Sequence, residues 1–211
     1  MTQPTLHYIY DPLCGWCYAA GPLIEAAANA GVPIGLHGGG LFGSPTRVDP
    51  AKRNYMRQSD GRIAELAGVR FGPAYLDGLL ADPATVFWSR PVIAAIVATG
   101  RVKEGAGLPM LRAIQRAHYV EGRRVVENEV LRDLAESIGL AAGDFAQALA
   151  HAAVDEHIAA TRSLMARAGV QGFPGFLLER SGRLARVEHV SFYGHPADFV
   201  NAIATLDQAS T

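Results

Sequence analysis

Apolar positions change rhythm twice along this chain. Near the N-terminus they form short β-prone runs, Leu6-His7-Tyr8-Ile9-Tyr10 and Val32-Pro33-Ile34-Gly35-Leu36-His37. These predict a strand over 5–10 and a second over 32–37. The segment between them is Ala-rich, and a helix is expected over 17–30, ended by Gly31. Strand, helix and strand in close succession make a βαβ unit, whose crossover sets the two strands parallel.

From about 50 to 168 the apolar spacing becomes helical. One helix is expected over 51–67. Ser89-Arg90-Pro91 opens another with a capping Ser and an early Pro, and Gly100 closes it. Leu108-Pro109 opens the next, with Leu111, Ile114, Ala117 and His118 on one face. Helices over 125–138, 145–153 (capped by Asp144) and 154–168 follow. The tail reverts to strands over 175–180 and 184–190 around Ser181-Gly182-Arg183, a hairpin with a Gly-containing turn. A closing helix spans 196–203. The order is βαβ, a helical block, then ββα. It predicts an α/β fold, a mixed four-stranded sheet interrupted by helices. Residues 1–44 and 168–211 would carry the sheet, and 45–167 would form an inserted helical subdomain.

Composition narrows the function classes. With 49% hydrophobic and 18% charged residues, the 211-residue chain reads as a soluble globular protein with ample core. A net charge of −1 implies neither a nucleic-acid nor an anionic-membrane partner. No apolar run reaches the length of about 18 residues that spans a bilayer. Met1-Thr2-Gln3-Pro4 leads straight into the first strand with no signal-peptide pattern, so a cytoplasmic location is expected.

The chemistry concentrates in Cys14-Gly15-Trp16-Cys17, which holds the only two cysteines. Two cysteines do not make a disulfide scaffold in a chain of this size. Two thiols separated by two residues can close a small disulfide ring and open it again. The pair follows a strand and opens a helix, where free backbone N–H groups and the helix dipole stabilise a thiolate. Such placement lowers a thiol pKa to roughly 3.5–7.5. The thiolate is the nucleophile of disulfide exchange.

A second segment, Val170-Gln171-Gly172-Phe173-Pro174-Gly175, precedes the late hairpin. Proline is unusual at a strand entrance because it cannot donate to the ladder. Two readings are open: a trans proline in a connecting turn, or a cis bond that exposes the backbone of Phe173. The loop Gly38-Gly39-Gly40-Leu41-Phe42-Gly43-Ser44-Pro45 lacks the G-K-[ST] of a phosphate cradle and reads as a connection.

The Cys-x-x-Cys after strand one, the Gly-Phe-Pro before the hairpin and the helical block together resemble the thioredoxin superfamily. The resemblance is to its DsbA-like branch, and covers nearly the whole chain. Asp11-Pro12-Leu13-Cys14-Gly15-Trp16-Cys17 is similar to the corresponding segment of the branch's predicted cytoplasmic disulfide isomerases. The resemblance implies a thioredoxin-like sheet and a protein disulfide oxidoreductase or isomerase. Cys14 would attack, Cys17 would resolve, and Gly15 and Trp16 would tune thiolate stability. Pro174 would be a cis proline facing the disulfide, with Phe173 lending backbone to an extended substrate. Protein or peptide thiols and disulfides are the implied partners, with glutathione as a further one. The dithiol is itself the redox group, so no cofactor and no metal is implied.

One position departs from the family. Thioredoxins often carry a buried acid in the strand before the active site, where this chain has Tyr8. Water and Asp11 are then the two candidates for the proton acceptor of Cys17. The alternative is a glutathione-dependent transferase or isomerase of the kappa or chromene-carboxylate isomerase type. Such proteins share the plan but usually place Ser at the first cysteine. Half a zinc site would need two more ligands, and the seven histidines show no paired spacing. A non-catalytic binding module is the blandest reading. Trp88, His118 and Tyr119 read as core or groove lining, Tyr18 as packing beneath the dithiol, and His37 as a structural histidine. His189, Tyr193 and His195 flank the last strand, near enough to be candidates for the border of the site, and are given no role.

Overall fold

A computed structural model describes residues 3–209. Met1 and Thr2 of the N-terminal reading, and the last two residues of the 168–211 segment, lie outside the described residues. Strands β1 (Thr5–Tyr10), β2 (Ile34–Gly38), β3 (Gly175–Arg180) and β4 (Arg183–Arg186) form one sheet in the order β2-β1-β3-β4. β1 runs parallel to β2, with Tyr8 opposite Leu36, and antiparallel to β3, with Tyr8 opposite Phe176. β4 closes the hairpin antiparallel to β3. The hairpin turn is two residues, Ser181 and Gly182, at φ 48° and 77°. Positive φ at both central residues matches the twist of the flanking strands.

Alternation along β1 feeds two cores. Leu6, Tyr8 and Tyr10 pack with Phe176, Leu178, Phe199 and Ile203. The helices on that face are α2 (Gly21–Asn29) and α9 (Pro196–Ala209), which pack on each other. Ile9 points to the other face and meets Leu177, Leu164 and Met165, the last two on α8 (Val154–Ala168). The central strand is therefore covered on both faces, which explains its nearly continuous apolar run.

Five further helices lie between β2 and β3, ahead of α8: α3 (Pro50–Ala67), α4 (Ser89–Val102), α5 (Gly107–Tyr119), α6 (Asn128–Ser137) and α7 (Ala142–Ala150). Asp49 caps α3 by accepting from the Lys52 N–H at 2.8 Å. A π-helical turn, Ala74–Leu79, was not anticipated.

Several boundaries differ from expectation for identifiable reasons. The first helix is two: α1 (Gly15–Ala19) and then α2, which has Pro22 in its first turn. Pro22 has no N–H to continue the ladder. Gly100 does not end α4, which is held through Val102 by buried Ile96, Ala98 and Thr99. Ser89 does not cap that helix; its Oγ accepts from the Phe42 N–H at 2.9 Å. Asp144 lies inside the first turn of α7 and is not its cap. β4 stops at Arg186, short of the expected 190.

Candidate functional site

Cys14 is the residue at which extended backbone turns into helix α1, at φ −98° and ψ 117°. It is partly exposed, whereas Cys17, one turn on, is fully buried, and both are free thiols. Burial pushes the Cys17 thiol well up, reinforced by its hydrogen bond with Cys14 and the charge there. The two sulfurs thus occupy different environments, one facing outward and one enclosed by protein.

The turn before α1 is held by Asp11, which is fully buried. Its Oδ1 accepts from the Leu13 N–H at 2.9 Å and its Oδ2 from the Leu41 N–H at 2.6 Å. The Asp11 backbone N–H donates to Cys17 Sγ at 3.4 Å. Burial raises the Asp11 carboxyl above its ordinary value, against the lowering effect of those amides. Tyr8 lies beneath the pair, and its hydroxyl donates to the Cys17 carbonyl at 2.8 Å. In place of an acid, this strand therefore brings a neutral phenol that anchors the dithiol helix.

The structure brings the distant Gly-Phe-Pro segment against the dithiol. The Phe173–Pro174 bond is cis. The Cys14 thiol faces the Phe173 carbonyl at 3.8 Å, across 159 residues of sequence. A Cβ on Gly39 would lie 2.4 Å from the Phe173 ring, so the absent side chain is what admits the ring. Arg162 fastens the same corner: its Nε donates to the Gly39 carbonyl at 2.5 Å and its Nη2 to the Gly40 carbonyl at 2.6 Å. Its guanidinium sits 5.2 Å from the Phe173 ring centroid.

Gly15 and Trp16 each meet an element outside the dithiol segment. Gly15 faces Asp60 and Ile63 of α3. The Trp16 ring lies 5.7 Å from that of Tyr193, whose hydroxyl donates to the Trp16 carbonyl at 3.3 Å. Tyr193 thus borders the site directly. His195 is exposed, and His189 packs against Phe176 and Tyr193. Asp60 and Arg162 carried no signal in the sequence, and the glycine run holding Gly39 read only as a connection, because tertiary packing alone delivers these residues to the site.

The remaining aromatic and histidine residues are structural in setting. Tyr18 stacks on Tyr119 with centroids 4.8 Å apart and donates to the Arg70 carbonyl at 2.9 Å. His118 is buried among Tyr75, Phe87 and Tyr119. Trp88 is half-buried at the head of α4. His37 Nε2 is 2.8 Å from His7 Nδ1, and His7 Nε2 is 2.8 Å from Glu179. Burial, then the neighbouring His7 and His157, lower His37 to about 4. Among the described residues no group of three or more His, Cys, Asp or Glu could hold a metal ion, and no helix is long and apolar enough to cross a membrane.

Comparison with known proteins bears on this arrangement. The family model for the DSBA-like thioredoxin domain matches residues 5–192. The chain is similar to the solved structure of the cytosolic disulfide reductase DsbM from Pseudomonas aeruginosa. The two share 45% identity and a TM-score of 0.89, over 97% of this chain and 99% of that one. The same protein solved with GSH matches at 44% identity and a TM-score of 0.87, with the same coverage. A 2-hydroxychromene-2-carboxylate isomerase matches at 16% identity and a TM-score of 0.64, over 98% of this chain and 99% of that one, which speaks to the fold alone. No curated protein matches the sequence.

Proposed function

Because the chain belongs to the DSBA-like thioredoxin domain family, we propose that it is a thiol–disulfide oxidoreductase acting through Cys14 and Cys17. The observation that carries this reading is the asymmetry of the pair. One sulfur is accessible beside the Phe173 carbonyl and the other is buried one helical turn behind it. Cys14 as thiolate attacks a substrate disulfide, forming a mixed disulfide and expelling the first substrate thiolate, which takes a proton. Cys17 then gives up its proton and attacks the Cys14 sulfur. That closes the Cys14–Cys17 bond and expels the second substrate thiolate. Two electrons pass from protein to substrate.

In this reading Gly15 and Trp16 tune the dithiol, and Phe173 and Pro174 present backbone to an extended peptide. Residues 45–167 form the helical subdomain that covers one side of the pair. The 45% identity to a cytosolic disulfide reductase supports the reducing direction and a cytoplasmic setting, with protein or peptide disulfides as substrates. That reductase was solved with GSH, which supports glutathione as the thiol that re-reduces the pair. The presence of both cysteines, where the isomerase type usually has Ser at the first, argues against that alternative. The test is reduction of a mixed glutathione–peptide disulfide by the reduced chain, followed by regeneration with glutathione. Turnover that survives loss of both cysteines would overturn the reading.

A further inference from the structure

The helical block places a buried carboxyl beside the dithiol. Asp60 is only 5% exposed and lies on α3, which packs against α1. A Cβ on Gly15 would sit 2.7 Å from Asp60 Oδ1 and 3.1 Å from Ile63 Cδ1. The absent side chain is therefore what lets this carboxyl reach the residue next to Cys14. Its other oxygen accepts from the Tyr75 hydroxyl at 2.9 Å, and Tyr75 is fully buried.

Among the described residues, no cation pairs with Asp60, and the groups around it are neutral donors or thiols. Tyr75 comes from the π-helical turn, Tyr119 from α5, and Cys14 from the start of α1; both tyrosines are neutral, held well above their ordinary values by burial. His118 contacts both tyrosines and is kept neutral by its own burial. Arg57, on the same helix, pairs with Asp77. A carboxylate stripped of water and given a neutral donor is costly to ionise. Burial accordingly raises Asp60 to about 6, with the Tyr75 bond opposing.

We propose that Asp60 is a positioning residue for the dithiol, a carboxyl that gives up its charge when Cys14 becomes a thiolate and so couples proton uptake to reduction of the pair. The physical basis is repulsion between the partly exposed Cys14 thiolate and a carboxylate that is itself held away from water. The inference rests on the exchange chemistry proposed above. In the coupled step two glutathione thiols are oxidised: their sulfurs join as the Cys14–Cys17 bond breaks, and two electrons enter the protein. Of the two protons they release, one goes to Cys17. The other goes to Cys14 or, where Cys14 stays a thiolate, to Asp60.

The experiment equilibrates the full chain with glutathione redox buffers from pH 5 to 8 and reads the reduced fraction by alkylation and mass spectrometry. The wild type should show an inflection of the potential near pH 6, and Asp60→Asn should lack it. Above that pH, Asp60→Asn should shift the equilibrium toward the reduced protein by roughly three- to tenfold, about 15–30 mV. Tyr75→Phe removes the hydroxyl that stabilises the carboxylate, so it should keep the inflection and move it to higher pH. It also guards against failure of the Asn variant to fold. Superimposable profiles for wild type and Asp60→Asn, or an unmoved inflection in Tyr75→Phe, would overturn the role of Asp60 and leave exchange intact. A wild-type pair that does not equilibrate with glutathione at any pH would instead sink the exchange reading, and this inference with it.

Discussion

The backbone N–H of Asp11 meets the Cys17 sulfur at 3.4 Å, while the carboxylate of the same residue turns to the amides of Leu13 and Leu41. The two groups act on Cys17 in opposite directions: the N–H favours its thiolate and the carboxylate charge disfavours it. Both carboxylate oxygens are already engaged by amides. Asp11 therefore joins the dithiol turn to the glycine loop, and its geometry suits that task better than proton acceptance.

Asp11→Ala should loosen that joint. It leaves the buried Leu13 amide without its acceptor and frees the Leu41 end of the loop. The expected loss is about 1–3 kcal/mol of unfolding free energy in urea titration. Asp11→Asn, which keeps one acceptor oxygen, should lose less.

The two cysteines should separate kinetically. Cys14→Ser should lower disulfide reduction by at least about 10³-fold, as expected when a nucleophile is removed. Cys17→Ser should still attack but not resolve, so a mixed disulfide at Cys14 accumulates and shows as an adduct on intact-mass measurement. An adduct on the Cys17→Ser variant that forms no faster than one on Cys14→Ser would contradict the assignment.

Gly39→Ala tests the corner that seats Phe173. Its new methyl would lie 2.4 Å from the ring, so the ring or the loop must shift. Overpacking of this kind costs about 1–3 kcal/mol. Both unfolding free energy and kcat/KM for a peptide disulfide should fall. Gly43→Ala, where a Cβ meets nothing within 4 Å, is the control.

His118 should make the chain acid-labile in a defined window. Its ring nitrogens have no hydrogen-bond partner among the described residues, and burial lowers its pKa from 6.5 to about 3. The unfolded imidazole takes a proton below about 6.5 while the folded one resists until about 3. The stabilising contribution is thus whole above 6.5 and is lost as pH falls through that interval, by up to about 1.4 kcal/mol per pH unit. His118→Phe should stay within about 1.5 kcal/mol of wild type at pH 7.5. Between pH 6.5 and 4 its stability should fall less steeply, as read by denaturant titration at each pH.

Much of this architecture is legible in the chain because its signals are local. Alternating and continuous apolar runs announce β1 and β3, Gly169 ends α8 where expected, and the dithiol follows a strand and opens a helix. Boundaries failed where a tertiary contact outweighed a local preference. Ser89 gave its hydroxyl to Phe42 instead of to its own helix, and buried neighbours carried α4 past Gly100.

By itself the sequence determined the order of elements, the dithiol and its Gly-Phe-Pro counterpart, since each is written in consecutive residues. Tertiary structure alone decided that Asp60 rests against Gly15, and it supplied the enclosure of Cys17 and the approach of Phe173 to Cys14, at 3.8 Å, that the family resemblance implied. Those relations join segments tens of residues or more apart. Such contacts are set by how helices and sheet exclude water together, and local spacing carries no record of that.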